Sequence, residues 1–426
     1  MRIGIQAWGC RGDIIPMLAL AQGLQGAGHD VSSVITSIDN TNYSETAQRN
    51  ALKVRYVCTP VIESDAQRAR IQDAVVAQSS PLEQARMILE NLFEPAADPM
   101  FWEAKRLCLE NDLVIGHFFH YPLRIAAEMA GRSYASVMLV HSAIPSRFTT
   151  PSGLPALGQT MNRLWWWLTR TLLNKKLKPF VDRMRITQGL APANDLIDDV
   201  WTSPKLNLIA VSQMLCTRQS DWVDLHRVCG EFAFPTATND GLDLDADLTA
   251  FIRAGSPPVY VSFGSVMPTE ASAQKETIDV LIQAAQRSSC RMIIQAPLWR
   301  DCGVAPTDTV YFVGATPHDQ VFPLCGAVVH HGGAGTAHTT LRAGVPSVVV
   351  AHIHEQRFWG QQLKRIGVAP NVLMQRRWNA KALAKRITEA LANADMRKQA
   401  RRTAGIMRTE NGVAKAVSEI GTHFDA

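Results

Sequence analysis

The sequence has 426 residues, 46% of them hydrophobic, so it is long enough for two domains of roughly 200 residues each. Its 43 basic and 38 acidic residues give a net charge of +5 at pH 7, too small and too dispersed to indicate a nucleic-acid partner. Eight scattered cysteines without a C-x-x-C pair favour reduced thiols over a disulfide framework or a zinc site.

The first residues show no signal for secretion. They enter a strand-like segment without the basic region, apolar region and cleavage site of a signal peptide. No apolar run reaches the length of about 20 residues that a membrane-spanning helix needs. We therefore expect a cytoplasmic protein.

The first half of the sequence predicts an open parallel sheet. Residues 2–8, RIGIQAW, resemble a buried strand, and after a turn at 9–12 the apolar period predicts a helix from Ile14 to Gln25. A strand over Val31 to Thr36 completes a β-α-β unit. Helical segments separate further strand-like runs at Lys53 to Val57, Leu113 to Gly116 and Ser136 to Val140. This alternation indicates a sheet covered by helices on both faces.

A tryptophan-rich helical stretch follows, from Pro155 to Gln188. It contains Trp165, Trp166 and Trp167 together with several basic residues. Three interpretations stay open: the tryptophans line an acceptor pocket, rest on an anionic membrane surface, or pack into the domain. Three adjacent tryptophans cannot all face one side of a helix, so we favour packing or pocket lining.

Residues 235–258 have the composition of a linker, rich in proline, glycine and small polar residues. The linker divides the chain into an N-terminal domain, 1–234, and a C-terminal domain, 259–426. Three acids within it could bind a metal ion: Asp243, Asp245 and Asp247. Acids at the start of a helix stabilise its dipole, and we favour that role over a metal site.

The second domain again alternates strands and helices. Val259 to Phe263 predicts its first strand, and the turn at Gly264 and Ser265 could contact a phosphate. Four more strands are predicted: Arg291 to Gln295, Val310 to Val313, Ala327 to His330 and Ser347 to Ala351. A helix-rich tail begins at Ala380.

A glycine loop after the strand that ends at His330 has the pattern of a phosphate site. Four small residues, 332–335, precede a helix predicted from Thr336 to Gly344. Such a turn presents unpaired backbone N–H groups at the positive end of the helix dipole. The next strand brings Glu355 and Gln356 to the same sheet edge, where a carboxylate and an amide suit a polyhydroxylated ligand. Together these features predict that the site binds a sugar diphosphate.

Three segments of this region resemble the C-terminal signature of the UDP-glycosyltransferase family, glycosyltransferase family 1: HHGGAGT (330–336), RAGVP (342–346) and EQRFWG (355–360). The likeness is greatest to the bacterial and sterol-glucosyltransferase-like branch. It implies an α/β GT-B fold, in which two Rossmann-like domains face each other across a cleft and the last helix returns to the first domain.

The resemblance also implies which residues hold a UDP-sugar donor. The diphosphate positions correspond to His330, Gly332, Gly333, Ala334, Gly335 and Thr336, and the sugar positions to Glu355, where most relatives have aspartate, and Gln356. The predicted donor site is completed by Gly12, Ser265, His318 and Trp299, the last replacing the tryptophan that stacks on uracil in plant members. We expect no metal ion and no further cofactor, because adjacent His330 and His331 on a strand point to opposite faces.

The turn GCRGDIIP carries Asp13, and the resemblance makes it the proton acceptor. An ordinary aspartate, with a pKa near ~4, is a weak base for an alcohol unless a hydrophobic acceptor desolvates it. Capping of the following helix is the alternative role. His117 stands where relatives place an acid that orients a histidine base. Whether His117 assists Asp13, or His117 or His141 is itself the base, stays open.

These assignments predict an inverting, metal-independent glycosyltransferase that moves a hexose, with UDP-glucose as the expected donor, to a hydroxyl of a lipophilic or aromatic acceptor. The predicted acceptor site comprises Phe118, His120, His141 and Trp166. Peripheral membrane contact through Trp165 to Trp167 is a further hypothesis. Two alternatives remain, a UDP-sugar epimerase of the same fold and a catalytically silent partner of another enzyme, and dTDP could replace UDP.

Overall fold

The computed structural model describes residues 1–39, 41–57, 62–234 and 244–424. Within these ranges the chain forms two compact units. Unit 1 comprises Met1–Ile71, Ala77–Pro235 and Glu410–Ala426, and unit 2 comprises Gln72–Val76 and Thr236–Thr409. The chain therefore leaves unit 1 and returns to it after residue 409.

The elements before residue 235 alternate strands and helices. In chain order they are β1 (Arg2–Gly9), α1 (Arg11–Gly26), β2 (Asp30–Ser37), α2 (Ser44–Arg49), β3 (Lys53–Tyr56), α3 (Asp65–Ala77), α4 (Pro81–Ile88), α5 (Glu94–Glu110), β4 (Leu113–His117), α6 (Tyr121–Met129), β5 (Ser133–Met138), α7 (Gln159–Lys176), α8 (Lys178–Thr187), β6 (Asn207–Ile209) and β7 (His226–Val228). A π-helical segment, Leu89–Phe93, joins α4 to α5. Pro179 in the first turn of α8 separates it from α7, because proline lacks the N–H that a continuous helix needs.

The later elements continue the alternation and end in three helices. They are α9 (Ala246–Arg253), β8 (Val259–Ser262), α10 (Ala271–Ser288), β9 (Met292–Gln295), β10 (Val310–Val313), α11 (His318–Val321), β11 (Ala327–His330), α12 (Ala334–Ala343), β12 (Ser347–Ala351), α13 (His354–Arg365), β13 (Leu373–Met374), α14 (Ala380–Ala392), α15 (Ala394–Met407) and α16 (Gly412–Phe424).

Unit 1 is built on a parallel sheet in the order β3-β2-β1-β4-β5-β6-β7. β1 is buried along nearly its whole length, as expected for a strand covered on both faces. Successive strands run outward from β1 to β3, and the chain then returns to place β4 beside β1. This reversal is a topological switch point, the position where open α/β sheets bind ligands.

Helix α16 packs on α1 within unit 1. A Cβ added at Gly23 of α1 would lie 2.2 Å from Cγ1 of Val413, so the glycine leaves the room that α16 occupies. Ala416 and Ile420 of α16 are fully buried in the same core as β1. The helix is thus part of the unit 1 core.

Unit 2 contains a second parallel sheet, in the order β10-β9-β8-β11-β12-β13. Its strand order reverses between β8 and β11, which gives this unit a switch point of its own. Short, fully buried strands such as β12, SVVVA, form its core.

Helix α9 lies inside the segment predicted as a linker. Its Leu248 and Ile252 are buried against Tyr260 and Val328 of the unit 2 sheet. Residues 244–258 are therefore part of unit 2, whereas 235–243 lie outside the described residues.

Two of the three linker acids are described. The carboxylate of Asp245 accepts a hydrogen bond from the backbone N–H of Asp247 at 3.0 Å and so caps the start of α9. Asp243 lies outside the described residues. The two described acids thus occupy the helix start, the position that favours their interaction with the helix dipole.

Candidate functional site

The glycine loop, the turn at Gly264 and the start of α13 come together at the switch point of the unit 2 sheet. β8 and β11 are paired, with Ser262 opposite His330, and the segments that follow both strands meet. Gly264 has a φ of +53°, and a Cβ added there would lie 3.2 Å from Cε1 of His331. The neighbouring β12 leads to α13, which carries Glu355. The backbone of Ser265 lies in this turn, and its side chain is outside the described atoms.

Helix α12 begins at Ala334, two residues before the predicted start, with Gly333 as its N-cap. The first-turn N–H groups of Ala334, Gly335 and Thr336 consequently have no partners within the helix. A Cβ added at Gly335 would have no described atom within 4 Å. This helix N-terminus therefore combines free donors, a positive dipole end and open space for an anion.

Two other glycines of the loop are required by packing. Gly332 has a φ of +91°, and a Cβ there would lie 2.6 Å from the carbonyl oxygen of Gln356. A Cβ at Gly333 would lie 2.4 Å from Nε2 of His331. The loop thus needs small residues at these positions even without a ligand.

His330 is turned into unit 2. It is fully buried, and its Nδ1 accepts a hydrogen bond from the N–H of Gly332 at 3.1 Å. Its Nε2 has no hydrogen-bond partner among the described residues. Burial lowers the pKa of His330 to about 3, so the ring is neutral. His330 holds the loop in shape and does not line its open edge.

His331 occupies the edge itself. It is only half-buried, and its ring lies beside Gly264 and Gly333. Its Nδ1 lacks a partner among the described residues, and burial lowers its pKa to about 4. The sequence resemblance predicts the diphosphate contact at His330. The geometry instead makes His331 the histidine that a ligand on α12 would meet.

Gln356 serves as a cap for α13. Its Oε1 accepts hydrogen bonds from the N–H groups of His352, at 2.7 Å, and Ile353, at 3.3 Å. The side chain is buried, so its orientation is held firmly. With the oxygen engaged, the amide nitrogen is the group that Gln356 can offer to a hydroxyl.

Glu355 is exposed next to Gln356. Its carboxylate accepts a hydrogen bond from Nε1 of Trp359 at 3.2 Å, which fixes one oxygen. Desolvation raises the pKa of the Glu355 carboxyl, and the hydrogen bond from Trp359 opposes that shift. The second carboxyl oxygen can accept a hydrogen bond from a sugar hydroxyl.

His318 and Trp299 have partners inside unit 2. His318 Nε2 lies 3.1 Å from Oε1 of Gln295, which also accepts from Ser262 Oγ at 2.6 Å. Trp299 stacks on Phe312, with ring centroids 5.4 Å apart and an angle of 15° between the rings. Packing thus accounts for Trp299 without a ligand, and its stacking on a base stays a prediction.

The switch point of unit 1 carries Asp13 and Gly12. α1 begins at Arg11, so Asp13 stands in its first turn, where its Oδ2 accepts from the backbone N–H of Cys10 at 3.0 Å and from its Sγ at 3.3 Å. Burial, and then the Asp13 carboxylate, hold the pKa of the Cys10 thiol well above its usual range, so the thiol keeps its proton. Gly12 is exposed at the same turn. Asp13 does cap the helix, as the alternative role requires.

His117 ends β4, the strand paired with β1. Its Nδ1 accepts from the N–H of Phe119 at 3.3 Å, and burial lowers its pKa to about 3. His120 is fully buried and caps α6 by accepting from Leu123 N–H at 3.3 Å. Both rings are neutral, and both sit beside the carboxyl edge of the sheet.

The remaining acceptor candidates differ in their surroundings. Phe118 is buried against Trp201, with ring centroids 5.5 Å apart, and His141 begins a short turn after β5. Trp166 is buried and donates from Nε1 to the carbonyl of Thr149 at 2.8 Å. Trp166 is thus a packing residue, and no acceptor contact is needed to explain it.

No group of three histidine, cysteine, aspartate or glutamate side chains in the described ranges has the arrangement of a metal site. In addition, no described helix is both long and apolar enough to cross a lipid bilayer.

Comparisons with known proteins match the chain to glycosyltransferases. The family model for the C-terminal domain of erythromycin biosynthesis protein CIII-like proteins matches residues 287–420. A sterol 3-beta-glucosyltransferase of Arabidopsis thaliana is 27% identical over 444 residues, covering 100% of this chain and 68% of that protein. The O-mycaminosyltylonolide 6-deoxyallosyltransferase of Streptomyces fradiae is 26% identical over 429 residues, covering 98% of this chain and 96% of that one. A second Arabidopsis sterol 3-beta-glucosyltransferase is 31% identical over 287 residues, and the chain spans only 42% of its length.

Solved structures show the same fold. The glycotransferase of kitacinnamycin aligns with a TM-score of 0.67 and 16% identity over 99% of this chain and 98% of that one. The glycosyltransferase VinC, solved in complex with dTDP, aligns with a TM-score of 0.65 and 19% identity over 99% of each chain. Fold and relatives together define a glycosyltransferase with the GT-B fold. These matches confirm the resemblance to glycosyltransferase family 1, the fold class and the prediction of a transferase.

Proposed function

We propose that this glycosyltransferase is inverting and metal-independent, and that it moves glucose from UDP-glucose to a hydroxyl of a lipophilic or aromatic small molecule. The observation that carries the proposal is the open N-terminus of α12 beside His331. It offers backbone donors and a positive dipole end to a diphosphate, next to Glu355 and Gln356, which suit sugar hydroxyls.

The same groups would stabilise the leaving diphosphate. As the bond between C1 and the diphosphate oxygen breaks, negative charge grows on that oxygen. The N–H groups of Ala334, Gly335 and Thr336 are held in place before the reaction, so they stabilise the charge without rearrangement. His331 can donate a further hydrogen bond from its ring.

The acceptor oxygen attacks C1 from the opposite side, and its proton passes to a base. We assign the base to Asp13, with His117 or His141 as alternatives. One displacement converts an α-linked donor into a β-linked product. Names of relatives support glucose through the sterol glucosyltransferases, whereas the deoxyallosyltransferase and the dTDP complex support a dTDP-sugar as the second candidate.

An exposed apolar stripe on α7 favours a lipophilic acceptor presented at a membrane surface. Leu164, Trp167, Leu168 and Leu172 repeat at helical spacing and are 50%, 63%, 38% and 40% exposed. The matched variants for this proposal are Trp167→Ser on the stripe and Trp102→Ser, which replaces a tryptophan 62% exposed elsewhere in unit 1. Sedimentation with anionic vesicles that falls only in Trp167→Ser would support the contact, and equal sedimentation of both would reject it.

Calorimetric titration tests the donor assignment. Wild-type protein is titrated with UDP, dTDP and UDP-glucose in EDTA, beside His331→Ala and the control His29→Ala. We expect UDP binding without metal that weakens by about tenfold or more in His331→Ala and is unchanged in the control. Absence of nucleotide binding to the wild type would overturn the proposal. Acceptors are then screened with UDP-glucose, and the anomeric coupling of the product reports inversion.

A further inference from the structure

A cavity in unit 1 lies apart from the residues discussed so far. It has a volume of about 260 Å³ and is bounded by the loop after β6, by β7 and by α16. The lining residues are Gln213, Cys216, Thr217, Arg218, Arg227, Val228, Lys415 and Glu419. Three of them are cations, and among the described lining residues only Glu419 is an acid.

Arg218 is held in a fixed orientation by its backbone contacts. Its Nη2 donates to the carbonyls of Trp222 at 2.9 Å and Val223 at 3.2 Å, and its Nε lies 3.4 Å from the carbonyl of His226. Asp224 accepts from the same Nη2 at 2.8 Å but is 89% exposed. These contacts use Nε and Nη2, so Nη1 is the donor group that Arg218 can direct to an anion.

The opposite wall comes from α16. Nζ of Lys415 donates to the carbonyl of Val228 at 2.6 Å, which commits one of its three hydrogens. Arg227 Nε lies 3.2 Å from Glu419 Oε2, so the carboxylate balances one cation. Asp224 outside the lining balances Arg218, so the three cations keep a net excess of one positive charge, on groups that still carry unused donors.

We propose that this cavity binds a small multivalent oxyanion of the phosphate class. Guanidinium and ammonium groups converging from two elements suit the oxygens of phosphate or pyrophosphate, and the volume admits either. The anion would bridge Lys415 of α16 to Arg218 and Arg227 near β7. Binding would thus hold α16 on unit 1, independently of the donor site in unit 2.

The Glu419→Gln variant gives the sharpest test, because the proposal predicts that it binds the anion more tightly than the wild type does. Wild type, Lys415→Gln, Glu419→Gln and the control Lys381→Gln, a surface lysine of unit 2, are titrated with pyrophosphate at constant ionic strength. We expect Lys415→Gln to weaken binding by about tenfold and Glu419→Gln to strengthen it by a few-fold, with the control unchanged. Loss of folding cannot imitate tighter binding.

Parallel titrations with inorganic phosphate and a sugar monophosphate distinguish a free anion from a phosphate ester. Tighter binding of phosphate or of the sugar monophosphate, with the same ranking of affinities among the four proteins, supports the site. The ligand that binds more tightly shows whether the natural anion is free or esterified. Identical affinities in all four proteins would overturn the proposal. Binding at another site, including the α12 loop, would not change with these substitutions. Undetectable binding of all three anions would overturn it as well.

Discussion

The carboxylate of Asp13 accepts the backbone N–H of Cys10 at 3.0 Å, so the proposed base is also the cap of α1. A Cβ added at the preceding Gly9 would lie 2.3 Å from Asp13 Oδ2, and this close approach explains the glycine. Catalysis and capping make different demands on this side chain, because a cap needs only an acceptor atom whereas a base needs a carboxylate.

Asp13→Asn separates the two roles. Asparagine keeps an oxygen for the cap but cannot take a proton, so we expect kcat to fall by about 100-fold or more with nearly unchanged stability. Asp13→Ala should lose the same activity and, in addition, about 1 kcal/mol of stability. Initial rates and urea unfolding check both variants. Full activity in Asp13→Asn would leave capping as the role of Asp13 and direct attention to His117 and His141.

Gly335→Ala should stabilise the protein and weaken donor binding together. Alanine in the first turn of α12 meets no described atom within 4 Å, and it lowers the entropy cost of folding by about 0.5–1 kcal/mol. The added methyl group projects into the space proposed for the diphosphate, so UDP affinity should drop. Thermal unfolding and calorimetry measure the two effects. A stabilised variant with unchanged UDP affinity would show that the diphosphate binds elsewhere.

Acid should destabilise the protein through its buried neutral histidines. Burial lowers the pKa of His117, His120 and His330 to about 3, whereas a histidine in the unfolded chain titrates near ~6.5. Below that pH the unfolded chain binds protons that the folded chain does not, so stability is complete above about pH 6.5 and falls as the pH decreases toward 3. At pH 5 each such histidine costs about 2 kcal/mol.

His120→Asn provides the matched variant for this pH effect. Asparagine is a good N-cap and can replace the contact of His120 with Leu123, but it does not titrate. Urea unfolding at pH 7.5 and pH 5 should show a loss of stability about 2 kcal/mol smaller in the variant than in the wild type. Equal losses in the two proteins would mean that His120 does not carry this proton linkage.

Replacement of Trp166 should lower the stability of the protein strongly, whereas replacement of Trp167 should change it little. Trp166 is buried and hydrogen-bonded to Thr149, so Trp166→Ala should cost about 3–5 kcal/mol. Trp167 is 63% exposed, and Trp167→Ala should change stability by less than about 0.5 kcal/mol. Urea unfolding of both variants checks this, and a large loss in Trp167→Ala would contradict the orientation of α7.

Strands are more predictable here than helix starts. The apolar run 2–8 predicts β1 to within one residue of Arg2–Gly9, because a strand buried on both faces is a nearly continuous run of apolar residues. α1 begins at Arg11 and not at Ile14, since the turn is organised by the contact of Asp13 with Cys10, which hydrophobic periodicity does not contain. α12 likewise begins among small residues that carry no periodic signal.

The site shows the same division between local pattern and tertiary packing. The glycine loop and the pair Glu355 and Gln356 are recognisable from sequence because their chemistry is local. Strand alternation predicts that His330 and His331 point apart, but not which of them faces the interior. Which histidine faces the interior depends on the elements that pack on the sheet. Here that packing buries His330 and leaves His331 at the edge.

The packing of α16 on α1 has a consequence for synthesis on the ribosome. All of Thr236–Thr409 is translated between β7 and α16. Until α16 emerges, the surface of α1 that it covers stays open to water, and the apolar groups beneath it are available to chaperones. Unit 2 is nearly continuous in sequence and can fold during that interval. The domain that is translated first is therefore the one completed last.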